Sequence, residues 1–402
     1  MIHDALIIGG GPAGATAAWF LARAGWSVAL VEKAAFPRRK VCGEFISATT
    51  IPLLHTLGLG ETYLNMTGPQ VREVGLYAGK YTLTAPMPVT RTAGQCWGHA
   101  LGREHLDNLL LNNARTAGVN VLQPGHATEL ARKDGTFTCR IESAEKNPAR
   151  ELQARIIIAA HGSWERGSLP THIPKQKPGP RDLLAFKAHF TQTELPPGLM
   201  PLLAFPGGYG GMVHTDHGRV SLSCCIRRDT LKQLRTDEHQ AAGEIVLAHI
   251  MEHCDGVCHA LAHAQRDGAW LSSGPIRPGI RTLHHDGIFA VGNTAGEAHP
   301  VVAEGISMAM QGAWLLSELL IARREQVLNG DTEQTGLDYA QDWRRHFAPR
   351  LRHAAIFAHL AMRPAATQIL LPLFQYVPGL LTLCANLSGK TTRLIRDRPR
   401  FS

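Results

Sequence analysis

A short apolar run, Ala5 to Ile8, ends on Gly9-Gly10-Gly11-Pro12-Ala13-Gly14 and passes straight into an Ala-rich stretch that reaches Ala24. Few backbone paths suit that order. It predicts a strand, a glycine turn and a helix, in which Gly9 permits the tight turn, Gly11 lets the backbone approach a pyrophosphate, and Gly14 lets the helix lie close on the sheet. The helix N-terminus, with Pro12 and Ala13 in its first turn, then turns unpaired N–H groups toward the phosphates. Ser27 to Glu32 reads as the next parallel strand, and Glu32, with Lys33 beside it, stands where a carboxylate accepts hydrogen bonds from ribose hydroxyls. Strand, glycines, helix and acid together point to a bound dinucleotide rather than to an empty loop.

At 402 residues, 44% hydrophobic and 18% charged, the chain is long enough for two or three structural units around a large core. Lys and Arg number 41 against 33 Asp and Glu, but the excess is spread along the chain and reads as an Arg-rich surface, so no nucleic-acid partner is expected. The eight cysteines show no framework spacing, which fits a reducing cytoplasm. The segment His253-Cys254-Asp255-Gly256-Val257-Cys258-His259 lacks a second ligand pair at finger-like spacing, so no metal is expected there. No signal peptide is read, because residues 2 to 8 already form the first strand.

Farther along, short alternating runs (71–77, 80–83) give way to a helical run from Arg103 to Ala117, and strand patterns return at 119–122, 136–141 and 154–160. A Pro- and Lys-rich stretch, Pro170 to Pro180, reads as a boundary before mainly strand-like runs, and from Gly287 the glycine-turn and helix pattern recurs. The expected class is α/β. A discontinuous Rossmann-type domain (1–70, 98–170, 280–330) carries an inserted β-sheet substrate domain (71–97, 171–279) and a C-terminal helical region (331–402). Within that region Ile369 to Leu387 is apolar but broken by Pro372, Gln375, Pro378 and Gly379, a poor membrane span. With Lys390, Arg393, Arg396, Arg398 and Arg400 behind it, the stretch reads either as peripheral membrane contact over 369–400 or as packing over the substrate cavity, the second being favoured. The expected location is cytoplasmic, with membrane association as the variant.

Three further segments carry a resemblance. Gly102-Arg103-Glu104-His105-Leu106-Asp107-Asn108-Leu109-Leu110, Phe289-Ala290-Val291-Gly292-Asn293-Thr294-Ala295-Gly296 and Pro300 to Met310 resemble motifs of the flavoproteins that include p-hydroxybenzoate hydroxylase, geranylgeranyl reductases and flavin-dependent halogenases. The likeness runs from residue 1 to about 320. It implies FAD rather than NAD, with Arg103 reaching the cofactor, Gly292 and Asn293 at the ribityl chain, and the backbone of Gly305 and Ile306 at the flavin ring. Two positions depart from the pattern. Asn293 stands for the usual aspartate, and Ala160-His161-Gly162-Ser163 stands where an Asp-Gly element helps a nicotinamide dock. The electron donor is therefore open between NAD(P)H and a separate reductase, an electron-donor protein.

Phe36-Pro37-Arg38-Arg39-Lys40-Val41-Cys42-Gly43-Glu44 resembles the F-P-R-x-K-x-C-G signature of geranylgeranyl-reductase-like enzymes, which implies a Cys-Gly pair beside the isoalloxazine ring. Cys42 then reads equally as a proton donor to a carbon that receives hydride or as a small packing residue. Glu44 reads as the acid or as a capping partner of the following helix. Tyr209, within Gly207-Gly208-Tyr209-Gly210-Gly211, and His299, before Pro300, are the remaining candidate catalytic residues. Lys187 and His189 share one face of a strand and read either as pointing into the cavity or as a solvent-facing pair, the second being favoured. The function expected is an FAD-dependent oxidoreductase moving hydride between FAD and a C=C or C–N bond of a hydrophobic or carrier-bound substrate. A monooxygenase is the runner-up; a halogenase is less favoured, lacking a W-x-W-x-I-P segment, with Lys80 noted, and a non-catalytic flavin carrier is the alternative from another class.

Overall fold

The computed structural model describes residues 1–90, 96–142, 149–163, 169–171, 177–236, 240–391 and 394. Near-continuous apolar runs, as expected for strands buried on both faces, make the first sheet. Its order is His284–His285, Ile288–Ala290, Arg150–Ala159, Ile2–Ile8, Val28–Val31 and Asn120–Leu122, with the hairpin His126–Lys133 and Thr136–Glu142 attached to Arg150–Ala159. The central pairings are parallel, and Ile7 lies between Ile158 and Leu30. The helices Pro12–Arg23, Arg103–Thr116 and Gly305–Ala322 pack on one face through Ala15, Ala18, Leu21, Leu106, Met310 and Leu316. The hairpin covers the other face with Phe137, Cys139 and Ile141.

The second sheet has seven strands in the order Gln265–Ile276, Leu183–Thr191, Val220–Arg227, Gly208–His214, Leu199–Phe205, Glu73–Ala78 and Tyr81–Pro86. All its pairings are antiparallel except that of Leu199–Phe205 with Glu73–Ala78. The helix Ala242–His253 seals one face, placing Val246 and Ile250 against Phe186, Leu222 and Ile226. The opposite face turns Tyr209, Cys225, Ala185 and Ala204 toward the first domain and the C-terminal helices. Residues 172–176, the centre of the stretch read as a boundary, lie outside the described residues.

C-terminal to these lie the helices Glu333–Ala361, Pro364–Tyr376 and Gly379–Ala385. The first is anchored by Tyr339, Trp343 and Phe347, all buried against the Gly305–Ala322 helix and its surroundings, and the Tyr339 hydroxyl donates to the Ala290 carbonyl at 2.8 Å. Among the described residues, Gly305–Ala322 alone is long and apolar enough by itself to cross a bilayer, and it is a core helix of the folded chain.

Candidate active site at the cofactor cavity

The glycine turn is built as its sequence requires. Gly9 has φ of +112°, and a Cβ on it would lie 2.5 Å from the Ala160 carbonyl oxygen; one on Gly14 would lie 1.9 Å from the oxygen of Gly9. A Cβ on Gly11 would meet only the Arg103 guanidinium, at 3.8 Å, so the loop leaves room in front of the helix N-terminus. Glu32 is buried and braces the turn, its Oε2 accepting the Gly10 N–H at 2.8 Å and its Oε1 that of Ala34 at 2.9 Å.

Two chambers meet at this turn. The smaller, about 200 Å³, is lined by Gly9, Val31, Glu32, Lys33, Gly125 and His161. The larger, about 420 Å³, runs from Gly11 to Ala13 past Gly292, Asn293, Gly305 and Ile306 to a roof of Leu371 and Phe374. Gly11, Lys40 and Ala160 belong to both. The Gly305–Ala322 helix points its N-terminus into the larger chamber after Ala303, whose φ of +52° turns the chain, and a Cβ at Gly305 would meet nothing within 4 Å. A cleft with one small and one large chamber, joined across a helix N-terminus, fits the adenosine and flavin halves of FAD.

On the wall of the larger chamber lie Cys42 and Gly43. The Glu44 N–H donates to Cys42 Sγ at 3.4 Å, and the buried Arg103 guanidinium, fixed by Asp107 through two 2.7 Å bonds, also contacts that thiol. Glu44 has φ of +63°, in the left-handed region, and its side chain is fully buried. One carboxylate oxygen pairs with the Lys187 ammonium and accepts the Arg103 N–H at 3.1 Å; the other meets His189 Nε2 at 2.8 Å. Burial alone would raise the Glu44 carboxyl, but the Lys187 charge and the His189 and Lys187 hydrogen bonds overcome it and hold the group at about 2.

These positions correct two expectations. Lys187 and His189 are not solvent-facing, since they are 0% and 2% exposed. They do share a face, but the sheet is covered on both sides, and their face looks toward Glu44. Glu44 is held ionised, so it is no proton donor, and the helix end it caps is that of Arg103–Thr116 rather than the helix that follows it in sequence.

Farther along the wall the buried Tyr209 hydroxyl lies 3.1 Å from His299 Nδ1, and the His299 ring lies 5.8 Å from that of His359. Burial, followed by His359, lowers the His299 imidazole to about 4. The ring is therefore neutral at neutral pH. Protonation of the unfolded chain near 6.5 but not of the folded chain until about 4 makes folding stability decline as pH falls through that interval. His299→Gln is expected to remove this component, on the order of 2 kcal/mol, so urea midpoints measured at pH 7 and pH 5 should converge in the variant and differ in the parent.

Asn293 lines the cavity, and its Nδ2 donates to Glu297 Oε1 at 3.1 Å. Glu297, missed at the sequence level, is buried and also takes the Ser163 hydroxyl at 2.8 Å and the Arg281 guanidinium at 3.0 Å. Its spacing of four residues from Asn293 was the available signal. Restoring the customary acid with Asn293→Asp would set two carboxylates at hydrogen-bond distance, and is expected to weaken FAD binding about tenfold in a flavin-fluorescence titration. Also missed were Glu304 and Lys390. The Lys390 ammonium, buried on the cavity, donates to the Val302 carbonyl at 2.8 Å and reaches Glu304 at 3.3 Å, so it does not face a membrane; burial lowers its pKa. Arg393, Arg396, Arg398 and Arg400 lie outside the described residues. Lys80 is exposed at a strand turn, away from the cavity. The Cys254 thiol packs against the Tyr77 and Ala204 carbonyls at 3.4 and 3.6 Å.

Fold and cleft together define a flavoprotein oxidoreductase. The chain belongs to the FAD binding domain family whose model matches residues 3–355, and it is an FAD-dependent oxidoreductase. It is 25% identical over 364 residues to digeranylgeranylglycerophospholipid reductase 2 of Methanopyrus kandleri, covering 88% of this chain and 85% of that protein. To the menaquinone reductase of Mycolicibacterium smegmatis it is 22% identical, over 96% of this chain and 91% of that one. Among solved structures, the myxobacterial chondrochloren halogenase CndH superposes with a TM-score of 0.77 at 20% identity, covering 96% of this chain and 91% of that chain. A geranylgeranyl bacteriochlorophyll reductase-like protein of Thermoplasma acidophilum superposes with a TM-score of 0.68 at 18% identity, over 96% and 99% of the two chains. Both structural likenesses show the shared fold.

Proposed function

We propose that the protein is a reductase or dehydrogenase that exchanges hydride between FAD and a C=C or C–N bond of a hydrophobic substrate. The observation that carries this reading is the larger chamber, which continues from the N-terminus of Gly305–Ala322 into an apolar end lined by Leu202, Ala361, Leu370, Leu371 and Phe374, with Cys42 on its wall. Relatives named as reductases of a geranylgeranyl lipid and of menaquinone support it.

In this reading Gly11, Pro12 and Ala13 take the pyrophosphate while Gly14 lets their helix pack close behind the turn, Glu32 and Lys33 take the adenosine side, and Gly292, Asn293 and the N–H groups of Gly305 and Ile306 the flavin side. Bound FAD supplies hydride transfer. Cys42 would hold the proton for the atom of the double bond next to the carbon that receives the hydride, with Arg103 beside the thiol to stabilise the thiolate left behind. Tyr209, oriented by neutral His299, positions the substrate against the wall. The apolar end excludes water from the reacting carbon.

The runner-up, hydroxylation with oxygen, is separated by mixing the photoreduced protein with oxygen in a stopped-flow instrument, with NAD(P)H tried as an alternative reductant. The reductase reading predicts a single-phase return of the oxidised spectrum, with acceleration of reduction by NAD(P)H deciding only which donor feeds it. A transient absorbing species on the way to reoxidation, with hydroxylated product, would replace it by the monooxygenase.

A further inference from the structure

The two helices that roof the cavity are apolar on both sides. Inside, Leu370, Leu371, Phe374 and Leu381 line the chamber. Outside, Ile369 is 77% exposed and Tyr376 84%, and Leu373, Val377, Leu383 and Leu387 are exposed beside them. A roof that only closed a cavity would carry polar residues outward.

Beside it, at the end of the Glu333–Ala361 helix, Arg352, Ile356 and Leu360 follow one another at four-residue spacing, and Arg363 lies in the turn before Pro364, each exposed. No Asp or Glu occurs anywhere between Asp342 and Asp397, whereas Arg344, Arg345, Arg352 and Arg363 do. The surface thus joins bulky apolar side chains and an aromatic hydroxyl to arginines of a segment that contains no acid. That is the chemistry of an anionic bilayer interface, in which apolar groups enter the acyl boundary, Tyr sits at headgroup level and Arg meets phosphate. A second copy of the chain would bring the same positive charge to the same place.

We propose that the helices Pro364–Tyr376 and Gly379–Ala385 form an interfacial docking surface for an anionic lipid bilayer, inserting Ile369, Leu373, Tyr376 and Val377 without spanning it. Resting on the function proposed above, the same roof then sets the apolar end of the cavity directly under the acyl boundary, so that a substrate with a long apolar chain passes from bilayer to flavin without crossing water.

The test is vesicle cosedimentation of the full-length, FAD-loaded protein with phosphatidylcholine vesicles with and without phosphatidylglycerol. Binding is expected on the anionic vesicles, weakened by added salt and by omission of phosphatidylglycerol. The double variant Ile369→Ser/Tyr376→Ser, whose sites lie outside the cavity, should lower the partition coefficient about tenfold while retaining its flavin spectrum as a check on folding. Arg363→Glu should reduce binding to anionic vesicles specifically. Protein left in the supernatant with both vesicle types would overturn the proposal, as would a double variant that binds like the parent. Concentration-dependent dimers in sedimentation velocity, abolished by the same variant without any vesicle binding, would assign the surface to a second copy instead. Turnover plays no part in the readout, so a failure of the reductase reading leaves this result standing.

Discussion

Glu44→Gln is expected to destabilise the fold by roughly 3–5 kcal/mol, because it leaves the Lys187 ammonium buried without its counter-charge. Lys187→Met should fall in the same range for the converse reason. The double variant should recover a large part of the loss, since neither charge then remains buried alone. Urea unfolding followed by circular dichroism measures all three, and single variants within about 0.5 kcal/mol of the parent would show that the pair is solvated. The pH dependence has a definite sign. With the folded carboxyl held at about 2 and the unfolded one near its ordinary value of 4.5, the stabilisation is complete above that value and is lost as pH falls from there toward 2. In Glu44→Gln this acid limb should disappear.

Gly14→Ala is expected to purify without bound flavin. The added methyl would lie 1.9 Å from the Gly9 carbonyl oxygen, a backbone atom that moves only if the turn itself opens. Displacing that turn withdraws the N-terminus of Pro12–Arg23 from the pyrophosphate, and FAD affinity should drop about a hundredfold or more. The visible spectrum and a flavin-fluorescence titration read the effect. A Gly14→Ala variant as yellow as the parent would mean that the loop does not hold the cofactor as described.

The residues behind these two expectations differ in how legible they were. The glycine turn is local. Strand, turn, helix and acid occupy the first thirty-odd positions, and the structure places Gly9, Gly11 and Glu32 around one cleft, with Gly14 packed close behind the turn. The Arg103 helix and the Gly292–Asn293 turn were legible as cofactor contacts only through their resemblance to flavoprotein motifs. Glu44, by contrast, meets partners 143 and 145 positions away, and no local pattern shows such a pairing. Alternation correctly put Lys187 and His189 on one face of a strand. It could not say that this face is buried, because the carboxylate that meets both side chains comes from the other domain. Lys390 misled in a related way. It stands at the head of what reads as a basic tail, yet its ammonium is turned inward onto Glu304 and the Val302 carbonyl. Asn293 was legible as a departure from the usual acid, while its compensation, the Glu297 carboxylate four positions on, was overlooked.

In the function proposed above, the positive φ at Glu44 would give that network a part in the chemistry as well as in stability. A non-glycine residue in the left-handed region is strained unless its surroundings hold it. Here the Lys187 and His189 side chains hold it, and the strain is placed directly after the Cys42-Gly43 pair on the cavity wall. The thiol is thereby set between the Glu44 N–H and the Arg103 guanidinium. A proton carried on Cys42 Sγ would then leave behind a thiolate already provided with two donors.

The most direct test of hydride exchange with an apolar carbon–carbon double bond excludes oxygen altogether. Photoreduced, FAD-loaded protein would be mixed anaerobically with a geranylgeranyl lipid or a polyprenyl quinone, and the return of the oxidised flavin spectrum followed alongside mass spectrometry of the lipid. For a reductase, reoxidation is expected to be coupled to a gain of two hydrogens in the isoprenoid chain and to be slowed strongly in Cys42→Ala with FAD still bound. Flavin that stays reduced with every such lipid, yet reoxidises with oxygen to give an oxygenated product, would contradict it.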